Sequence, residues 1–439
     1  MADLSGFPFF PVEFDKQGNI HDPAQPAALE AHLAKGGTTD LIVFSHGWNN
    51  DMDEASQLYA DFFASARAVL DTGKVPGAAA RTFAVLGVLW PSKKFADKEL
   101  IPSGAAGAGS TVEIDDLRDK LRGLHGTFDA PDADQKLTDL EKLLPKLEDS
   151  ASACKTFVDG VRGLMKPSAG DDADAAKLFF SIPAGDLFTK LQQPVSFTAI
   201  AAPAGGGGAA TIGDTGGAAG LGSFFSGIGS GVRNLLNLTT YYQMKERAGL
   251  VGAVGVNPLV SGLKKKYPAL RLHLVGHSFG GRLVTAVAAG ADDASVIKAN
   301  SLSLLQAAYS HYGLAQKWDG QQDGAFRRVV ALGVILGPTI ITCTANDKAV
   351  GLAYPIASIV AGQVAAGLGD ENDKYGGIGR NGAQKTPEAV KAELLDVGGA
   401  YALTPGKIHN LRADPFISSH SDITNKQVAY AVLTAIAAT

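Results

Sequence analysis

A serine with small neighbours lies at the centre of the stretch Gly276-His-Ser-Phe-Gly280. The apolar run at 272–275 before it predicts a buried strand, and the apolar spacing that follows it predicts a helix. A strand that turns sharply into a helix holds the middle residue in a strained conformation, and glycines two positions away let the backbone segments pass each other. Such a turn exposes the Ser278 hydroxyl near the N–H groups that begin the helix, which can stabilise an anion. The stretch therefore indicates nucleophilic chemistry at Ser278.

A serine nucleophile requires a base, which is commonly a histidine that a carboxylate orients. Nine histidines are available. His277 lies in the turn itself, where we expect that it cannot reach back to Ser278. His420 is the first candidate, because it lies in the polar loop 418–422 between the last predicted strand and the final helix. His311 is the alternative, and a purely structural role before the helix is the competing interpretation for His420.

A carboxylate on another loop has to orient the base. Asp347 comes shortly after the predicted strand 339–343, and Asp414 is the alternative. A turn would also account for Asp347, since Asn-Asp pairs favour turns. The order Ser278, Asp347, His420 along the chain nevertheless favours a catalytic role, because triads of strand–turn–helix serine hydrolases follow that order.

The anion that forms during acyl transfer needs two N–H donors. The backbone N–H of Phe279, directly after the nucleophile, is the first candidate. The second is expected from the loop after the predicted strand 40–44, which reads Ser45-His-Gly-Trp-Asn49. We expect Trp48 to supply that donor, with Asn49 as the alternative, and Gly47 to let the backbone approach a substrate. A strand-ending turn is the competing interpretation of this loop.

Strands that alternate with helices must position these loops. This pattern predicts a mostly parallel, doubly wound sheet with helices on both faces, in which functional residues follow the carboxyl ends of strands. The predicted strands are 10–14, 40–44, 83–90, 272–275, 301–307, 339–343 and 407–412, and the predicted helices are 27–35, 53–70, 233–247, 256–266, 326–336, 356–368 and 428–438.

The region 93–231 departs from the alternating pattern. Helices are predicted at 112–124, 133–147 and 152–165, and the glycine-rich stretch 201–231 has the composition of a hinge or mobile loop. We therefore divide the chain into a core of residues 1–92 and 232–439 and a helical insertion of residues 93–231.

Composition limits the possible functions. The 439 residues are 46% hydrophobic and 19% charged with a net charge of −5, which disfavours nucleic-acid binding. The charge-free apolar runs contain Gly, Pro or polar residues, so stable membrane insertion is not expected. No signal peptide is visible, which predicts a cytoplasmic protein with two free thiols, Cys154 and Cys343. No cofactor or metal site is expected from the spacing of His and Cys, and the oligomeric state stays open.

The Gly276–Gly280 stretch, the upstream His46-Gly47 and the Ser–Asp–His order resemble the α/β-hydrolase superfamily, specifically its serine esterases and lipases. The resemblance covers residues 10–92 and 233–439 at the level of element order. It implies that 93–231 forms a helical lid over the active site, with the glycine-rich stretch as a flap. The sequence departs from the family in its His-Gly-Trp-Asn loop, which replaces a triple glycine, and in the length and position of the insertion.

A serine hydrolase of small-molecule carboxylic esters is the function expected from these residues, with an acyl-enzyme on Ser278. Trp48, Phe224 and Phe225 favour an apolar acyl or aromatic group in the substrate. A lipase that acts at an interface is the alternative within the same chemistry, and acyl transfer to an acceptor other than water cannot be separated from hydrolysis. A non-catalytic binding module with this scaffold is the alternative from another class.

Overall fold

The computed structural model describes residues 2–48, 50–92, 114–165, 176–192, 221–347, 350 and 374–439, with the backbone alone over 221–226. The predicted helix 356–368 and residues 201–220 of the predicted flap lie outside these ranges.

A nine-stranded sheet runs through the protein in the order β1-β2-β4-β3-β5-β6-β7-β9-β8. All neighbouring strands are parallel except β1 and β2. The protein is thus an α/β protein with an open, mostly parallel sheet. The strands are Ala2–Leu4 (β1), Phe7–Glu13 (β2), Asp40–Ser45 (β3), Phe83–Leu89 (β4), Arg271–His277 (β5), Ser301–Leu305 (β6), Thr339–Cys343 (β7), Ala389–Glu393 (β8) and Ile408–Arg412 (β9).

Helices cover both faces of the sheet, and the central strand β3 explains why they must. Its side chains alternate between two apolar clusters, with Leu41 and Val43 in one and Ile42 and Phe44 in the other. The apolar side chains on the two faces of the sheet are therefore shielded from water only if helices cover each face. The first cluster includes the helix Phe279–Ala289, and the second includes the final helix Lys426–Ala437.

The remaining helices connect the strands or belong to the insertion. No helix in the described ranges combines the length and the apolar character needed to cross a membrane. The connecting helices are Ala24–Leu33, Met52–Leu70, Leu221–Leu250, Asn257–Lys266, Arg327–Ala331 and Ile378–Asn381, and those of the insertion are Ile114–Gly123, Ala133–Leu143, Ala151–Arg162, Ala176–Ser181 and Ala184–Leu191.

The insertion is anchored to the long helix Leu221–Leu250 by a buried arginine. The guanidinium of Arg247 donates to the carbonyl oxygen of Thr127 at 2.5 Å and to that of Pro91 at 3.1 Å. It also lies 3.5 Å from the carboxylate of Asp129. These bonds connect the long helix both to Pro91, which follows β4, and to the insertion. The insertion therefore has a fixed attachment near residue 91. The division into core and insertion domains stays a prediction.

Two helices predicted at 233–247 and 256–266 are one continuous helical run. A π-helical segment, Val251–Val256, joins Leu221–Leu250 to Asn257–Lys266. Pro258 accounts for the widening, because it has no N–H to donate and its ring excludes the carbonyl group four residues earlier. Gly252 in this segment lies so close to the helix Phe279–Ala289 that an added Cβ would overlap the carbonyl of Leu283.

Another predicted helix, 326–336, is shorter than expected. The helix spans only Arg327–Ala331, since Gly333 adopts a left-handed φ of 53°. Glycine adopts this conformation without steric cost, and the chain leaves the helix there.

Candidate functional site

Ser278 occupies a strained turn between β5 and the helix Phe279–Ala289. Its φ and ψ are 55° and −125°, a conformation that costs a non-glycine residue about 1–3 kcal/mol. The two glycines that flank it explain how the turn is tolerated. A Cβ on Gly276 would overlap the backbone of Gly280, and a Cβ on Gly280 would overlap the carbonyl groups of Ser45 and His46. The turn predicted from the sequence is thus present, and only glycine fits at either position.

The loop after β3 lies directly against this turn. Ser45 pairs with Gly276 in the parallel register, so the two strands end side by side. A Cβ added to Gly47 would lie 2.6 Å from the Cβ of Ser278. The small residue therefore lets the backbone that leads into Trp48 approach the serine. Asn49, the alternative second donor, lies outside the described residues.

His46 fixes the conformation of this loop. Its imidazole is fully buried and stacks on the indole of Trp90, with ring centroids 5.6 Å apart. The backbone N–H of Trp90 donates to Nε2 at 3.2 Å, so the proton is on Nδ1, which donates to the carbonyl of Gly47 at 2.9 Å. In a trans peptide the N–H of Trp48 must point away from that carbonyl. His46 therefore sets the direction of the N–H of Trp48.

Burial keeps the imidazole of His46 neutral. Desolvation lowers its pKa to about 4, and the hydrogen bond to Gly47 offsets only part of this effect. From the sequence alone, the role of His46 in directing this loop cannot be distinguished from that of an ordinary residue in a strand-ending turn. The distinguishing feature is the contact with Trp90, which depends on the pairing of β3 with β4.

Asp347 and His420 are joined by a hydrogen bond. Nδ1 of His420 lies 2.8 Å from Oδ2 of Asp347, whose side chain is completely buried, while that of His420 is 19% exposed. The backbone N–H of Val350 donates to Oδ1 at 2.9 Å, and Gln306 Nε2 donates to Oδ2 at 3.0 Å. Burial alone would raise the pKa of Asp347, but the imidazole of His420 and these two donors hold it below its usual value. An ionised carboxylate only accepts, so Nδ1 of His420 is the donor in this bond, and Nε2 is the ring nitrogen that Asp347 does not engage.

The alternative acid and base have other partners. Asp414 accepts from the hydroxyl of Thr344 at 2.6 Å and from the N–H of Ala345 at 2.8 Å, which makes it a turn residue. His311 is buried, and its Nδ1 lies 3.2 Å from the side chain of Asn381. Among the candidates, His420 is therefore the histidine that contacts Asp347.

His277, which precedes the serine, contacts the candidate base. Its Nε2 lies 2.9 Å from the backbone carbonyl oxygen of His420, and the two rings are 4.9 Å apart. A carbonyl only accepts, so His277 donates from Nε2. Burial lowers its pKa to about 3, and the neighbouring imidazole of His420 contributes in the same direction.

Two residues of the site escaped the sequence analysis. Gln306, directly after β6 and with a left-handed φ of 44°, bridges Asp347 and the carbonyl of Gly379, 3.0 Å from each. Tyr241, on the long helix after the insertion, packs its ring against Phe279 and Trp48 at centroid distances of 5.2 and 6.1 Å. A glutamine that ends an apolar strand is an available signal for the first residue, whereas no local pattern distinguishes Tyr241 from other core aromatics.

The rings of Trp48 and Phe279 also touch, with centroids 5.6 Å apart. The residues that carry the two candidate oxyanion donors are thus in contact through their side chains. The arrangement combines a serine on a strained turn, a carboxylate–imidazole pair and a cluster of packed aromatic rings, which together can support acyl transfer.

Within the described ranges no three His, Cys, Asp or Glu side chains come together as a metal site requires. Comparison with protein-family models, with curated proteins and with solved structures gives no significant match, so the chemistry of this site has to be inferred from its own geometry.

Proposed function

We propose that the protein is a serine hydrolase that cleaves small-molecule carboxylic esters through an acyl-enzyme on Ser278. The observation that carries the proposal is the 2.8 Å hydrogen bond between His420 Nδ1 and Asp347, with His420 held beside the strained turn by His277. A carboxylate on Nδ1 leaves Nε2 free to act as a base, which is the arrangement that activates a serine hydroxyl.

In the proposed reaction, Ser278 Oγ attacks the ester carbonyl carbon and His420 Nε2 takes the hydroxyl proton. The carbonyl oxygen becomes an anion, which the N–H groups of Phe279 and Trp48 stabilise. The tetrahedral intermediate expels the alcohol, which receives the proton from His420. Water then adds to the acyl-enzyme with His420 again as base. The bond between the acyl carbon and Ser278 Oγ breaks, Oγ takes the proton back from His420, and the carboxylic acid leaves. Asp347 stabilises the imidazolium in both steps without accepting the proton.

The acyl group of the substrate is proposed to lie against Trp48, whose partly exposed ring packs on the buried rings of Tyr241 and Phe279. The mutual contacts of the three rings make the surroundings of Trp48 apolar and aromatic, which supports an apolar or aromatic group there. The same proposal includes the finer fold assignment, an α/β-hydrolase in which residues 93–231 form a helical lid. The bonds of Arg247 to Pro91 and Thr127 would give that lid a fixed attachment point next to β4. The side chains of Phe224 and Phe225, which the sequence places near the substrate, lie outside the part of the chain that the structure describes.

A fluorophosphonate probe and a chain-length panel of nitrophenyl esters test the proposal. Ser278→Ala is expected to abolish labelling and to lower kcat by about three orders of magnitude or more. Ser419→Ala, a change at an exposed serine next to His420, is the matched control and should retain both. Near-normal turnover by Ser278→Ala would rule the mechanism out. A sharp rise in rate above the solubility limit of long-chain esters would identify a lipase, and its absence an esterase for soluble substrates.

A further inference from the structure

We propose that His277 is a positioning residue, which holds the backbone of His420 at the nucleophile through the hydrogen bond from its Nε2 to the carbonyl oxygen of His420. The inference rests on the proposed function. It assigns to the second residue of the Gly276–Gly280 stretch a task that is separate from nucleophile, base, acid and oxyanion donor.

The covalent chain makes this bond specific to the site. His277 and Ser278 share a peptide bond, so a side chain on His277 that holds His420 fixes the base relative to the nucleophile through one residue. The bond is 2.9 Å long and joins positions that are far apart in sequence. The contact between the two rings, with centroids 4.9 Å apart, restricts the His420 imidazole from the same side.

The other anchors of the loop act farther from the base. Asn346 Nδ2 donates to the carbonyl oxygens of Asp414 and Ile417 at 3.1 and 2.9 Å. Asn425 Nδ2 donates to that of Phe416 at 3.0 Å. These bonds fix residues 414–417. The hydroxyl and the backbone N–H of Ser418 donate to Asp422 Oδ2 at 2.8 and 2.9 Å, which closes the turn around His420 without bonding to His420 itself. Among the described residues, Asp347 holds the side chain of His420 and His277 holds its backbone carbonyl, so loss of either contact loosens one end of the residue.

Only the donor on Nε2 is required for this task. The other nitrogen, Nδ1, is buried, has no hydrogen-bond partner among the residues that the structure describes, and lies beside Gly47, where an added Cβ would be 3.1 Å away. Its low pKa keeps the imidazole neutral, so it donates one hydrogen bond and takes no proton at the pH values at which a serine hydrolase works. A neutral amide that reaches the same carbonyl should therefore replace it, whereas an isosteric apolar side chain should not.

The test compares His277→Gln, which retains a donor, with His277→Leu, which removes it. We expect His277→Leu to lower kcat and the rate of fluorophosphonate labelling about 10- to 100-fold, with KM changed less than threefold. His277→Gln should restore kcat to within about fivefold of wild type and keep the midpoint of the acid side of the pH–rate profile. His409→Leu, which removes another buried strand histidine with a hydrogen bond of its own at 3.0 Å, controls for lost stability.

Three outcomes contradict the role of His277. A wild-type kcat in His277→Leu would show that catalysis does not require the hydrogen bond. Equal losses in the glutamine and leucine variants show that the imidazole itself is required. An equal loss in His409→Leu shows that the effect is one of folding. If wild-type protein fails to react with the probe, the proposed function falls as well, whereas labelling of wild type and His277→Leu at one rate removes only the role of His277.

Discussion

Gly47 and Ser278 approach so closely that a single added methyl group on the glycine would come within 2.6 Å of the serine Cβ. The two residues belong to loops that follow neighbouring parallel strands, β3 and β5. Their proximity follows from the parallel register, which brings the carboxyl ends of both strands to the same edge of the sheet. The separation of these loops therefore sets the space in which an oxyanion would lie.

Gly47→Ala should lower kcat about 100-fold with little change in the fold, because displacement of the loop by even 1 Å misplaces the N–H of Trp48. Gly262→Ala, at an exposed helical glycine with open space around it, is the matched control and should be neutral or slightly stabilising. The check is kcat for a nitrophenyl ester together with the circular dichroism spectrum. Unchanged kcat in Gly47→Ala would show that this loop supplies no donor.

Asp347→Asn should lower kcat by about three to four orders of magnitude. The amide retains the size of the carboxylate but no longer stabilises an imidazolium, and it favours the other tautomer of His420. Asp414→Asn tests the rival acid and should change kcat less than fivefold, since Asp414 bonds to Thr344 and Ala345. Steady-state kinetics of both variants decide between the two aspartates, and a larger loss in Asp414→Asn would overturn the assignment.

Acid should destabilise the fold through His46 and His277. Their folded pKa values, about 4 and about 3, lie below the value of about 6.5 in an unfolded chain. Below pH 6.5 the unfolded state therefore binds protons that the folded state does not, and the free energy of unfolding falls as the pH decreases towards about 4. Each group contributes a slope of up to about 1.4 kcal/mol per pH unit. Urea unfolding at several pH values measures this dependence. Near pH 5, the free energy of unfolding of His277→Gln should change with pH less steeply than that of wild type, by about this amount.

If the free energy of unfolding had the same pH dependence in wild type and His277→Gln, the pKa of His277 would be the same in the folded and unfolded protein, which would contradict this prediction. Measurements above pH 7 serve as the internal control, since both imidazoles are neutral there in the folded and unfolded chains.

Asp40→Asn should cost stability without affecting catalysis in the molecules that stay folded. The buried carboxylate of Asp40 lies 2.6 Å from Arg81 and 2.8 Å from His273, whose other nitrogen contacts Ser301. Removal of one partner from a buried pair typically costs about 3–5 kcal/mol. Asp40 is the first residue of β3, whereas the loop that approaches Ser278 follows the last residue of that strand. We therefore expect kcat per folded molecule to stay within twofold of the wild-type value.

Urea unfolding and active-site titration test this expectation. Asp71→Asn is the matched control, because its pair with Arg67 is exposed and contributes little. If Asp40→Asn lost as much kcat as Asp347→Asn, the two ends of β3 would not be independent in their effects on catalysis.

The central strands and the Ser278 turn could be predicted from the sequence because their signals are local. Continuous apolar runs identify strands that are buried on both faces, and the glycines at 276 and 280 are required by backbone contacts within the turn itself. The edge strands β1 and β8 were missed because they are largely exposed. In β8, Lys391 and Glu393 take the place of apolar residues, as suits a strand that must not pair with another chain.

The supporting residues of the site could not be predicted, since their partners come from distant parts of the chain. The bonds from His277 to His420 and from Gln306 to Asp347 exist only after four parallel strands have been placed side by side. The pair Asp347 and His420 was predictable as to residue type and chain order. The contact itself depends on the register of β6, β7 and β9.

The position of the insertion between β4 and β5 has a consequence for synthesis of the protein on the ribosome. The strand β3 pairs on one side with β4, which follows soon after it, but on the other side with β5, which emerges only after the whole insertion. Until then one edge of a strand that is buried along its whole length in the folded protein has no partner strand, and such edges invite pairing with other chains. The nascent chain should therefore be most prone to aggregate after β4 has emerged, and chains truncated before Arg271 should require a chaperone to stay dispersed.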